Sequence, residues 1–189
     1  MTNDVIKKFA DRFNNNNQNM GTVLYSTDPI VRKSDVFPHL NEQIEEFYLH
    51  IHLENAPTIG GDFFLQIFAL NELENAQVGW SGPDDEELAW KQSFVVFADR
   101  NGDALVYDSE QKNCPVYGSI QKHSFLVANS FFCFLEALLV GIAVEEEFGG
   151  DTREEDLSYK SNFISEVENR ISSMGDVVSV QGFMKFFFN

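Results

Sequence analysis

Residues 94–144 read FVVFADRNGDALVYDSEQKNCPVYGSIQKHSFLVANSFFCFLEALLVGIAV, and this stretch decides the fold. Two apolar runs, Phe94-Val95-Val96-Phe97-Ala98 and Ala104-Leu105-Val106-Tyr107, flank Asp99-Arg100-Asn101-Gly102-Asp103. Asn-Gly between β-rich segments predicts a tight hairpin, because both residues tolerate the positive φ that a turn of matching twist needs. A third run, Pro115 to Ile120, follows a polar turn. A helix is expected from near Asn129-Ser130, whose side chains can cap free N–H groups of its first turn. Phe131, Phe134, Leu135, Leu138 and Ile142 stand at helical spacing, and most other positions are apolar too. That pattern describes a central, deeply packed helix. It should meet water at Glu145-Glu146-Glu147 and stop at Gly149-Gly150.

Upstream, Val5, Ile6, Phe9 and Phe13 give residues 3–13 one apolar helical face, and the run Asn14-Asn15-Asn16-Asn17 ends it. Thr22 to Tyr25 reads as a short strand. Asn41 to Leu53 fits both periods: Ile44, Phe47, Tyr48 and Ile51 make a helix face, whereas Phe47, Leu49, Ile51 and Leu53 alternate as a strand. The reading adopted is a helix to about Tyr48 and a strand from about Leu49 to Glu54. Asn55 to Thr58 with Gly60-Gly61 should turn into a strand over Asp62 to Leu70, and Asn71 should cap a short helix.

Downstream, Asp151 and Glu154 resemble a capping box. Leu157, Ile164, Val167, Ile171 and Met174 would form the stripe of the helix it opens, with Gly175 at its end. Val177 to Val180 and Phe183 to Phe188 read as strands, and Phe186-Phe187-Phe188 must be covered, for which the chain's own core is the expected cover.

The chain of 189 residues is one domain by size, and its 43% hydrophobic content with 19 Phe suits a folded protein. Its 13 Lys and Arg against 30 Asp and Glu give a net charge of -17. That balance opposes binding to nucleic acid, where cationic side chains must neutralise phosphates, and to anionic membranes. A basic protein partner fits better, since a single-sign field speeds encounter with the opposite sign; solubility alone is the competing explanation. The N-terminal MTNDVIKKFADRF lacks the apolar core of a signal peptide, and the greasy run Phe131 to Val144 is too short to span a bilayer. Cys114 and Cys133 have no metal-like spacing and read as reduced thiols, Cys133 within the apolar helix. A cytosolic location is expected.

Candidate chemistry is sparse. Asp99, Asn101, Asp103 and Glu110 match positions 1, 3, 5 and 12 of a Ca²⁺-binding loop. Position 6, however, is Ala104 rather than Gly, and both flanks are β-rich rather than helical. The turn reading wins, and no metal is assigned. His50 and His52 would share one side of a strand but lack an evident third ligand. A Cys133–His123 nucleophile would need an activated thiolate, which a run of phenylalanines does not offer. No Walker loop, G-x-S-x-G, G-x-G-x-x-G or H-E-x-x-H occurs. No catalytic residue and no cofactor is assigned, so the expectation is a protein that is not an enzyme.

Phe97-Ala98-Asp99-Arg100-Asn101-Gly102-Asp103 is similar to an F-A-x-x-x-G-D turn, and Ala128-Asn129-Ser130-Phe131-Phe132-Cys133-Phe134-Leu135 to an A-x-S-F-x-x-F-L helix start. With Leu105 to Asp108 and Val116-Tyr117, these motifs resemble the SUKH superfamily, which includes bacterial immunity proteins and fungal cell-wall-synthesis regulators. The resemblance covers residues 40–145, with upstream elements in the matching order, and leaves residues 151–189 outside. It implies an α+β fold, here one domain over residues 1–189, with a mainly antiparallel sheet flanked by helices and used to bind protein. Bacterial members commonly neutralise toxins, often nucleases, in the cytosol.

The expectation is therefore an immunity protein that blocks a cognate toxin of basic, nuclease type, with a regulatory or scaffold domain as the alternative. Its acidic contacts would come from Asp84, Asp85, Glu86 and Glu87, ahead of Glu145, Glu146 and Glu147. Solvated surface is the competing reading of both runs.

Overall fold

The computed structural model describes residues 2–30, 40–80 and 90–189. Helix α1 (Thr2–Asn15) buries Val5, Ile6, Phe9 and Phe13, the face its spacing predicts. The asparagines that follow turn their amides onto the backbone, Asn14 Nδ2 donating to Val23 O at 2.8 Å and Asn15 Nδ2 to Asp11 O at 2.8 Å. After β1 (Met20–Tyr25) come α2 (Glu42–His50) and β2 (Ile51–Ile59). The ambiguous segment thus keeps helical spacing through His50 and changes to alternation at Ile51. Strand β3 (Leu65–Ile67) and the single-turn α3 (Leu73–Ala76) precede β4 (Phe94–Arg100), β5 (Asp103–Asp108), β6 (Val116–Ile120) and β7 (His123–Ala128). Helices α4 (Phe131–Glu147), α5 (Ser161–Ser172) and α6 (Val180–Phe188) complete the described elements.

The strands lie in chain order, β1 to β7, every neighbouring pair antiparallel. The β4–β5 hairpin pairs Arg100 with Asp103, and Asn101 and Gly102 take φ of 54° and 90° between them. That is the positive-φ pair the Asn-Gly reading requires. One sheet face meets the helices in the main core, where Val95, Phe97, Leu105 and Tyr107 pack with Phe47, Phe131 and Phe134. The opposite face carries a smaller cluster of Trp90, Phe94, Val96, Ala104 and Val106. The chain is therefore α+β, a seven-stranded antiparallel sheet flanked by helices.

Helix α4 is buried nearly all round, and Ser130 caps it by accepting from Cys133 N at 3.1 Å. Asn129 instead donates to Asp176 O at 2.7 Å, holding the segment before α6. Cys133 is half-buried rather than enclosed.

Several expected elements differ. Asn55 to Thr58 continue β2, with Asn55 and Ala56 at φ of 59° and 50°, and Asp62 to Leu70 yield only three strand residues. Asn71 does not cap α3; Glu72 does so in position, its Oε2 accepting from Ala69 N at 2.8 Å. Strand β7 lies between the third apolar run and the helix, where the sequence reading placed no element. Asp151 and Glu154 open no helix. Residues 151–160 form a turn pinned by an Arg153–Tyr159 bridge, so Leu157 is exposed while Val167 and Ile171 stay buried in α5.

The C-terminal strands are also replaced. Val178 makes a single bridge to Ala128, and Ser179 caps α6 by accepting from Gly182 N at 3.1 Å. Phe186, Phe187 and Phe188 are buried in the chain's own core, on a helix rather than a strand. Gly182 makes this possible: a Cβ there would stand 1.9 Å from Leu126 O. Close approach to β7 overrides the β propensity of Val and Phe.

Candidate functional site

Asp84, Asp85, Glu86 and Glu87 lie outside the described residues, but both ends of their segment are placed. Trp80 and Trp90 stack with ring centroids 5.6 Å apart and 19° between planes. Trp90 meets Phe94 edge-on at 5.6 Å, and Phe94 meets Tyr117 at 4.9 Å. The described residues on either side of the acidic run are thereby held together against the sheet face opposite the main core. Such aromatic pairs contribute about 0.5–1.5 kcal/mol beyond their burial. Trp90 Nε1 is buried without a hydrogen-bond partner among the described residues.

Next to this stack, Lys91 Nζ lies 5.4 Å from the centroids of both Phe94 and Tyr117 and 3.1 Å from Asp108 Oδ2. Asp108 is buried at the end of β5 and also accepts from Gln111 Nε2 at 2.7 Å and Glu110 N at 3.2 Å. Burial pushes its carboxyl up, but hydrogen bonds from Gln111, Ser93, Lys91 and Glu110 outweigh that and hold it below the usual carboxylate range. Ser109 fastens the same segment, its N–H and hydroxyl both donating to Ser93 O.

The second acidic run is not a uniform face. Glu145 is buried, and its Oε1 accepts from Asp62 N at 2.7 Å. Desolvation is the main reason its carboxyl is pushed up to about 7, with Asp62 and Glu146 adding repulsion and the Asp62 N–H and Arg153 opposing. Glu146 pairs with Arg12, and Glu147 receives Arg170 Nη1 at 2.8 Å. Glu146 and Glu147 therefore join α4 to α1 and α5, and Glu145 joins it to the turn after β2, which their adjacency in sequence does not reveal.

A cavity of about 680 Å³ opens between β2 and the Ala69–Glu74 turn. Ile51, Leu53, Ala69 and Leu70 supply apolar lining, and Glu54, Glu72 and Glu74 supply carboxylates. Tyr48 Oη donates to Phe68 O at 2.8 Å at its inner end. The cavity arises because β3 is short: it pairs with β2 only through Thr58–Gln66 and Ile59–Leu65.

The other sequence candidates are dispersed. Asp99 Oδ1 accepts the turn N–H of Gly102 at 3.1 Å, and Ala104 is fully buried under the smaller cluster. His50 and His52 do not share a side. His50 ends α2, buried, with Nδ1 2.8 Å from Ser26 O, whereas His52 is exposed beside Glu54. Cys114 is buried against Asn41 Oδ1, and burial pushes its thiol up, away from the thiolate that nucleophilic chemistry needs. Among the described residues, no group of three His, Cys, Asp or Glu side chains could hold a metal ion, and no helix is long and apolar enough to cross a membrane.

The Trp80–Trp90 stack, the Lys91–Asp108 pair and the cavity were not anticipated. Two tryptophans bracketing the acidic run were the available signal for the first; nothing local signalled the others. No known protein family, curated protein or solved structure matches the chain.

Proposed function

We propose that this chain is a non-catalytic binding protein of the SUKH type, an immunity protein that blocks a basic, nuclease-like toxin in the cytosol. One observation carries the reading: the densest acidic run, Asp84 to Glu87, stands in sequence between Trp80 and Trp90, whose rings stack. Four consecutive carboxylates suit a groove built to hold phosphates, and the net charge of -17 steers encounter with it.

The test pairs the purified chain with the toxin encoded beside its gene. Replacing Asp84, Asp85, Glu86 and Glu87 together by Ser should weaken binding at least tenfold and flatten its salt dependence, at about 1.4 kcal/mol per tenfold. Unchanged affinity and salt dependence would remove the loop from the reading. A neighbouring gene product that neither harms cells nor co-purifies with the chain would remove the immunity role.

A further inference from the structure

We infer that the cleft between β2 and the Ala69–Glu74 turn docks a basic, extended segment of a protein partner. The inference rests on the protein-binding reading above and assigns it a second, separate contact.

The sheet itself makes the cleft. Ile51 to Glu54 pair with β1 through Tyr25–Ile51, Leu24–His52, Val23–Leu53 and Thr22–Glu54. Pairing with β3 begins only at Thr58, so among the described strands none lies along the other side of Ile51 to Glu54. In an antiparallel strand the backbone N–H and C=O groups alternate in direction, so part of this stretch points its peptide groups into the cleft. A strand side with no neighbour among the described strands is what an incoming extended segment can complete.

The lining selects the chemistry of that segment. Leu70, half-buried, offers apolar contact over the nearly buried Ile51, Leu53 and Ala69, while Glu54, bonded to the lining His52, and Glu72 and Glu74 stand around them. Neither Lys nor Arg is among the described lining residues. Glu54 and Glu74 are exposed, so their charge reaches an approaching partner. Ile30, 40% exposed, extends the apolar lining outward. A strand with apolar side chains on one side and Lys or Arg on the other satisfies both features, whereas nucleic acid would be repelled by the three carboxylates.

The experiment pans a random heptapeptide phage library on the immobilised full chain and measures binding of the synthetic consensus peptide. Peptides with Lys or Arg alternating with apolar residues should be enriched. Glu54→Gln with Glu74→Gln should weaken the consensus peptide about tenfold, and added salt should reproduce much of the loss. Asn71→Trp, an exposed rim position, should obstruct it without altering the fold by circular dichroism. The Asp84–Glu87 Ser variant should bind the peptide normally, which separates this cleft from the acidic run. Enrichment without a basic bias, or equal binding by the rim variants, would overturn the inference. So would binding seen only after Arg32→Ser with Lys33→Ser, which would give the cleft to the chain's own basic pair.

Discussion

The backbone N–H of Asp62 donates to Glu145 Oε1 at 2.7 Å, joining the turn after β2 to the last turn of α4. The Asp62 carboxylate in turn accepts from Arg153 Nε at 2.9 Å, and the Asp62 and Phe63 carbonyls accept from Arg100, which also reaches Phe187 O. The turn thus ties α4, the 151–160 segment, the β4–β5 hairpin and α6 together, with a carboxylate at its centre that titrates at about 7.

Because folding raises the Glu145 pKa from 4.5 to about 7, the folded chain holds a proton that the unfolded chain releases. Stability is unaffected by this group below about pH 4.5, falls as pH rises towards 7, and stays lowered above it. Glu145→Gln keeps an acceptor for Asp62 N and removes the charge. Urea unfolding should show the variant equal to wild type at pH 4 and more stable by up to about 3 kcal/mol at pH 8. A pH-independent difference would refute the assignment.

Asp108 has the opposite sign. Its folded pKa is lowered, so its contribution is full above the unfolded carboxylate range and is lost as pH falls through the folded value. Asp108→Asn should cost about 1–2 kcal/mol at pH 7. The cost should shrink on acidification, as measured by chemical denaturation at each pH.

Gly182→Ala places a methyl group 1.9 Å from Leu126 O, so α6 must move away from β7. About 1–3 kcal/mol of stability should be lost. Calorimetry should show a fall in Tm of several degrees, while an exposed-site control such as Gln181→Ala leaves it nearly unchanged.

The Trp80–Trp90 stack should appear as a coupling energy of about 0.5–1.5 kcal/mol in a double-mutant cycle of Trp80→Ala and Trp90→Ala. Additive losses would mean that the two rings do not support one another.

Cys114 is fully buried and Cys133 only half-buried. A thiol reagent should modify Cys133 in the folded chain and reach Cys114 only on unfolding, as peptide mass mapping with and without denaturant would resolve. Early labelling of Cys114 would contradict its enclosure.

Residues whose structure depends on close neighbours were legible. Asn101-Gly102 turn where the dipeptide requires, Ser130 caps α4, and the α1 stripe is buried as spaced. The site was less legible. Glu145, Glu146 and Glu147 are adjacent in sequence, yet successive residues on a helix point about 100° apart, and each meets a different element.

The sequence alone determined an acidic α+β chain with an antiparallel hairpin feeding a buried helix, because period, turn chemistry and net charge are properties of the residues themselves. Tertiary structure decided the rest. Phe183 to Phe188 became helix because Gly182 lets it approach β7, and Trp80 found Trp90 because the sheet brings them together. Glu145 came to titrate at about 7 because packing removed it from water, and the β2 cleft opened because β3 ends early. Each depends on contacts between residues distant in sequence, where burial and close approach outweigh local preference.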